Sequence, residues 1–220
     1  MCGRYTLYTH EDDLASLFEV KPLPLKERYN IAPTQEVPVV TARTGGAREM
    51  SFMRWGLIPH WVKDPTDFKS TLFNARSESA AEKPSFRDAM KSMRCLIPAS
   101  GFYEWRTEDG NKQPYFIKRQ DGQPMAFAGL YSVWTKGSEP LTSCTILTTD
   151  STGAMTELHH RVPVILEPDE WDRWLDKQQV DPHEVEDLLD APEDDLLTWY
   201  AVDRRVGNAR VDDAELLNPA

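Results

Sequence analysis

The spacing of apolar and polar residues changes along the chain. Leu14, Leu17 and Phe18 recur at helical intervals behind Thr9-His10-Glu11-Asp12. That pattern predicts a short helix with Thr9 as its N-cap and an acidic first turn, ended by Pro22 and Pro24. Tyr29 to Thr34 is polar and Pro-bearing and predicts a loop. Val37–Ala42 and Met50–Trp55 are strand-like and flank the turn Arg43-Thr44-Gly45-Gly46, so they predict a hairpin. Gly56 to Lys69 is rich in Pro, Trp and Asp and has little period, which predicts a long ordered loop. Ser85 to Met93 predicts a short helix that packs Phe86, Met90 and Met93.

From Cys95 onward the pattern is β. Cys95–Ala99, Phe102–Arg106, Gln113–Lys118, Met125–Trp134 and Thr142–Thr149 predict strands. Glu108-Asp109-Gly110-Asn111 and Gln120-Asp121-Gly122-Gln123 supply Asp-Gly turns between them. Val162–Leu166 predicts another strand, Asp169–Leu175 and His183–Leu189 two acidic helical stretches, and Leu197–Val202 a last strand. No repeat or linker interrupts the series. The pattern predicts an α+β fold: a single domain over residues 2–220 with a curved, mainly antiparallel, barrel-like sheet flanked by short helices.

Composition adds limits. At 220 residues the chain can bury a sizeable core without disulfide staples. No apolar run approaches the roughly 18 residues of a membrane span, and the N-terminus lacks a secretory signal, so a cytoplasmic protein is expected. The net charge of −11 argues against nucleic acid until its distribution is read. Glu167 to Asp195 holds 13 acidic and 2 basic residues, and the remainder is balanced. The acidity is local, and a basic groove elsewhere stays open. The three cysteines, Cys2, Cys95 and Cys144, are widely spaced and form no Cys-x-x-Cys pair, so neither zinc nor a disulfide framework is indicated. Cys95 and Cys144 sit in apolar runs and read as small buried residues. Cys2 has no such apolar context. No metal or cofactor is expected, and a monomer is the expected state.

Four stretches carry candidate chemistry. The chain begins Met1-Cys2-Gly3-Arg4-Tyr5. Removal of Met1 leaves an α-amine and a thiol on adjacent carbons, and an α-amine titrates near pH 8. Such a 1,2-aminothiol captures aldehydes: the amine forms a Schiff base and the sulfur closes a thiazolidine ring. An N-terminal-nucleophile hydrolase is an alternative use of the same thiol, and an inert second residue is the plain reading. In Leu72-Phe73-Asn74-Ala75-Arg76-Ser77-Glu78, Asn74, Arg76 and Glu78 alternate as on one side of an extended segment. The amide suits an ammonium or hydroxyl, and the guanidinium suits phosphate. Glu104 lies among Phe102, Tyr103 and Trp105, company that raises a carboxyl pKa and favours general acid chemistry. His159-His160-Arg161 places proton carriers before an apolar strand.

The stretches Met1–Tyr5, Arg28–Pro33, Trp55–Pro59, Phe73–Glu78, Gly101–Trp105, Lys112–Tyr115, Leu158–Pro163 and Val206–Ala209 together resemble the SOS response-associated peptidase (SRAP) family, in order, from residue 2 to about residue 210. The resemblance implies recognition of abasic sites in single-stranded DNA and a thiazolidine crosslink through Cys2 after loss of Met1. Carried over, Cys2 is the nucleophile, Asn74 positions the amine and sugar, and Glu104 and His159 are the acid–base groups. Arg4, Arg76 and Arg161 become phosphate contacts, with Trp61 and Trp105 as candidate stacking surfaces. His160 departs from the family pattern, which commonly has Asp or Asn after the catalytic histidine.

Overall fold

The computed structural model describes residues 2–43, 45–68 and 72–220. Its strands are β1 Arg4–Leu7, β2 Arg28–Ile31, β3 Glu36–Ala42, β4 Arg48–Trp55, β5 Asn74–Arg76, β6 Arg94–Ala99, β7 Gly101–Glu108, β8 Asn111–Arg119, β9 Met125–Trp134, β10 Leu141–Asp150, β11 Arg161–Pro163 and β12 Leu197–Ala201. Among the described residues four short α-helices accompany them: α1 Glu11–Phe18, α2 Ser77–Ala80, α3 Arg87–Ser92 and α4 Trp171–Leu175.

The strands fall into two sheets. One has five strands in the order β12-β8-β7-β1-β2, all antiparallel. In the other, β4, β3, β6, β9 and β10 run side by side, and β10 pairs with both β9 and β4. That double pairing closes a five-strand ring, which removes exposed edges. β5 and β11 attach to β10. Among the described residues only β10–β4 and β10–β5 are parallel. The fold is α+β, mainly antiparallel and barrel-like, as the pattern predicts.

The β7–β8 hairpin shows the local logic. Glu108 pairs with Asn111 across a two-residue loop, and Asp109 and Gly110 have φ of 48° and 80°. Two positive φ values are what a type I′ turn requires, and Asp-Gly supplies them cheaply. At the start of β7, a Cβ on Gly101 would stand 2.3 Å from the Phe116 ring and 2.8 Å from the Ile117 carbonyl. Only glycine lets these strands approach so closely.

Several expectations need correction, among them the packing of Met93, which follows the helix Arg87–Ser92 and is 36% exposed. Helix α1 is capped by His10, whose ring accepts from the Asp12 N–H at 3.3 Å. Thr9 is occupied elsewhere, with its N–H and hydroxyl on the Ser100 hydroxyl. The helix stops at Glu19, in the left-handed region with φ 55°, before either proline. The predicted loop at residues 29–34 begins as strand β2, because the segment pairs antiparallel with β1 (Tyr5 opposite Ile31, Leu7 opposite Arg28) while Asp212 accepts from the N–H groups of Tyr29 (2.5 Å) and Asn30 (2.9 Å). The stretch at residues 183–189 lies in a 3-10 helix, Pro182–Leu189, not an α-helix.

The two sheets share one apolar core. Tyr5, Ile31, Phe102 and Ile117 of the five-stranded sheet meet Val37, Ile97, Phe127 and Ile146 of the other. The Tyr5 ring lies edge-on to Trp55 at 5.2 Å and to Phe127 at 6.0 Å. The opposite face of the five-stranded sheet is covered by the C-terminal segment, where Tyr103 and Phe116 pack on Val202, Val206 and Leu216. Cys95 and Cys144 are buried and unbridged on β6 and β10.

Candidate active site

The site lies where the start of β1, the start of β5, the middle of β7 and the turn between β10 and β11 converge. Cys2 is not a frayed terminal thiol. It is fully buried and belongs to the main apolar core. Its backbone carbonyl accepts from Asn74 Nδ2 at 2.7 Å. Asn74 opens β5, and the Asn74–Ile146 register on β10 fixes where its amide points. The other end of that amide, Oδ1, is buried and accepts from no donor among the described residues.

Glu104 sits on β7 opposite Tyr115 and is only 2% exposed. Strand alternation puts it on the Phe102 face, toward the core that holds Cys2. Glu104 Oε2 lies 3.9 Å from His159 Nε2. The histidine is held from its other side. Its Nδ1 accepts from the Arg161 backbone N–H at 3.0 Å, and its carbonyl accepts from the Ser151 hydroxyl at 2.6 Å. The Arg161 carbonyl lies 3.1 Å from the same Nδ1, so the ring can accept from one group or donate to the other; when Nδ1 accepts, the neutral ring carries its proton on Nε2, toward Glu104. His160 is exposed and stacks on His159 with ring centroids 4.4 Å apart.

Burial sets the proton affinities. It pushes the Cys2 thiol well up, and the nearby Glu104 carboxylate pushes it further. It also raises Glu104 above the usual carboxylate range. It lowers His159 to about 4, so that ring is neutral at pH 7. A neutral thiol, a carboxyl biased toward its acid form and a neutral imidazole suit proton transfer rather than thiolate attack.

The structure thus brings Cys2, Asn74, Glu104 and His159 together. The other candidates sit differently. Arg76 ends β5 exposed, with no ion pair among the described residues. Arg4 donates to Asn30 Oδ1 (2.9 Å) and to the carbonyls of Val206 (2.6 Å) and Gly207 (3.0 Å). Arg161 is buried, with Glu78 at 2.6 and 2.9 Å and Asp150 at 2.5 Å. In this arrangement both arginines are committed inside the protein. Trp61 is 47% exposed and edge-on to Phe68. Trp105 is half-buried and packs with Tyr103 on the face of β7 opposite Glu104.

Two partners escaped the sequence reading. Asn30 is fully buried and donates to the carbonyls of Val206, Asn208 and Val211. Its signal was a small amide inside a polar stretch with no turn glycine. Asp150 was unreadable, because only the β10–β11 register brings it to Arg161. Among the described residues no helix is long and apolar enough to cross a membrane. No group of three or more His, Cys, Asp or Glu there is placed to hold a metal.

Fold and site together define a class: a two-sheet α+β protein whose second-residue thiol is buried beside an amide and a carboxyl–imidazole pair. Residues 1–209 match the family described as SOS response associated peptidase (SRAP), and the chain belongs to that family. It is 39% identical over 223 residues to the abasic site processing protein YoqW of Bacillus subtilis, covering 99% of both chains. It is 38% identical over 224 residues to the abasic site processing protein YoaM of the same organism, covering 99% of this chain and 98% of that one. A solved structure of a Bacteroides thetaiotaomicron protein aligns with a TM-score of 0.89 at 26% identity over 100% of both chains.

Proposed function

We propose that this protein processes abasic sites in single-stranded DNA by forming a covalent crosslink through Cys2 once Met1 has been removed. The observation that carries the proposal is the meeting of buried Cys2 and Glu104 with partly buried Asn74 and His159. The names of the relatives, abasic site processing proteins, agree with it.

The chemistry follows from the geometry. An abasic deoxyribose is mostly a closed hemiacetal, and opening it requires proton removal at one oxygen and delivery at another. Glu104 and His159, 3.9 Å apart, form a pair suited to that exchange. The freed amine of Cys2 then attacks the C1′ aldehyde carbon, and water leaves to give a Schiff base. Asn74 Oδ1 is the acceptor available to orient that amine. The sulfur adds to the same carbon, its proton passes to the imine nitrogen, and a thiazolidine closes. One aldehyde and one aminothiol give one ring and one water. Holding the reactants together makes the capture intramolecular in effect. Arg76 is the exposed cation suited to meet a phosphate, and Trp61 is the exposed ring suited to stack on a base.

Hydrolysis by the same cysteine is the competing use. It draws on a thiolate, whose formation a depressed thiol pKa would favour, and burial moves Cys2 the other way. The decisive experiment is a denaturing gel of abasic single-stranded DNA with wild type and Cys2→Ala. A covalent band lacking Met1 by mass spectrometry is expected for wild type, and none for the variant. An unchanged band in Cys2→Ala would overturn the mechanism.

A further inference from the structure

An ion-paired, buried arginine stands behind the acid–base couple. Glu78 follows β5 on α2, and its two carboxylate oxygens grip Arg161 at 2.6 and 2.9 Å. Asp150 adds a contact at 2.5 Å, and the Thr148 carbonyl accepts from the same guanidinium. Arg161 is 4% exposed, and Glu78 and Asp150 reach it from the surface. A two-point grip of this kind fixes orientation as well as position.

The next link is the backbone. The residue whose side chain is gripped also presents its N–H to His159 Nδ1 at 3.0 Å. That bond favours the ring form with Nδ1 bare and Nε2 protonated. The Arg161 carbonyl lies nearly as close, 3.1 Å from the same Nδ1. These two groups belong to consecutive peptides joined at the Arg161 Cα, so a small change in the Arg161 backbone torsions would favour the other tautomer, with Nδ1 protonated and Nε2 bare toward Glu104. The backbone at Arg161 needs fixed torsions, and the Glu78–Arg161 grip sits at that residue.

We infer that Glu78 is a positioning residue: by clamping Arg161 it holds the Arg161 backbone so that His159 stays in the Nε2–H form facing Glu104. The inference deepens the proposed function and rests on it for its kinetic consequence, but not for its structural one. It makes the Asn74–Glu78 stretch and the His159–Pro163 stretch one unit. Asn74 and Glu78 lie at the two ends of a five-residue run, one on the Cys2 carbonyl and the other on the arginine that sets the histidine.

Histidine ¹H–¹⁵N long-range correlation spectra report ring tautomers without DNA. Wild type should show His159 as the single Nε2–H form. Glu78→Ala, and the shape-preserving Glu78→Gln, should show mixed or exchanging tautomers at His159. On abasic single-stranded DNA both variants should crosslink roughly tenfold or more slowly, since acid–base groups contribute about 10²–10⁴-fold and only their alignment is lost. Binding to intact single-stranded DNA should be unchanged or tighter, because the clamp no longer occupies Arg161. An unchanged His159 tautomer in a folded Glu78→Gln protein would overturn the inference. Failure of the proposed function looks different: wild type itself would give no crosslink while the tautomer result stands.

Discussion

Phe102 and Glu104 on β7 face the core that holds Cys2, whereas Tyr103 and Trp105, one residue along, face the C-terminal segment. On the tail face the polar groups are satisfied. The Tyr103 hydroxyl donates to the Tyr29 carbonyl at 2.9 Å, and Tyr200 donates to the Leu217 carbonyl at 2.8 Å. The Asn30 amide spends both ends on Arg4 and the tail carbonyls. On the core face the Tyr5 hydroxyl and Asn74 Oδ1 accept or donate nothing among the described residues. Glu104 is raised and His159 lowered by the same burial. Buried groups held below their bonding capacity cost stability and are rare away from functional sites. The tail face of the sheet carries fold, and the core face carries chemistry at the expense of fold.

That division has its largest consequence at Glu104. Glu104→Gln should slow crosslinking by about 10²–10⁴-fold, the range for losing an acid–base group. Its stability should move the opposite way from an ordinary core substitution. A carboxyl whose folded pKa lies above its ordinary 4.5 binds protons more tightly folded than unfolded. Stability therefore falls as pH rises through and beyond 4.5, and glutamine removes that loss. The urea midpoint of Glu104→Gln at pH 7 should match or exceed wild type, with the gap shrinking toward pH 4. His159, lowered from 6.5 to about 4, titrates in the other sense and sheds stability as pH falls through that window. A Glu104→Gln protein that is markedly less stable at pH 7 would mean the carboxyl is structural.

On the tail face the expected loss is stability. Asn30→Ala strips donors from three carbonyls and an acceptor from Arg4. Leaving such groups unsatisfied costs about 1–3 kcal/mol, measured by urea unfolding. Single-turnover crosslinking per folded molecule should change less than tenfold. A folded Asn30→Ala protein with no crosslinking would join the two faces into one site.

The same contrast explains what was legible from the residues. The β7–β8 hairpin was readable because Asp109-Gly110 fixes its turn locally. The burial of Cys95 and Cys144 was readable from apolar neighbours. The insertion of Cys2 into the core was not, since its environment comes from β5, β7 and β10, far away in the chain. Asn74, Glu104 and His159 emerged from local chemistry and family likeness, and no local signal gave their separation. The inward commitment of Arg161 was hidden for a physical reason: an arginine beside a histidine looks the same whether it faces solvent or two carboxylates that only tertiary pairing delivers. The N-cap was misassigned because Ser100, 91 residues on, takes the Thr9 hydroxyl.

The two tryptophans give the smallest and sharpest test. Trp105 shares the tail face with Tyr103, while Trp61 stands 47% exposed and makes one long bond, 3.4 Å, to the Pro84 carbonyl. Trp61→Ala should leave the urea midpoint near wild type and weaken single-stranded DNA binding by about 1–3 kcal/mol, the worth of one stacked base. Trp105→Ala should do the reverse, lowering stability while fluorescence-anisotropy titrations with the same oligonucleotide barely shift. The crossed pattern is informative because the two substitutions remove the same side chain. If Trp105→Ala weakens DNA binding as much as Trp61→Ala at equal stability, then DNA reaches around the edge of β7 and the tail face is part of the binding surface.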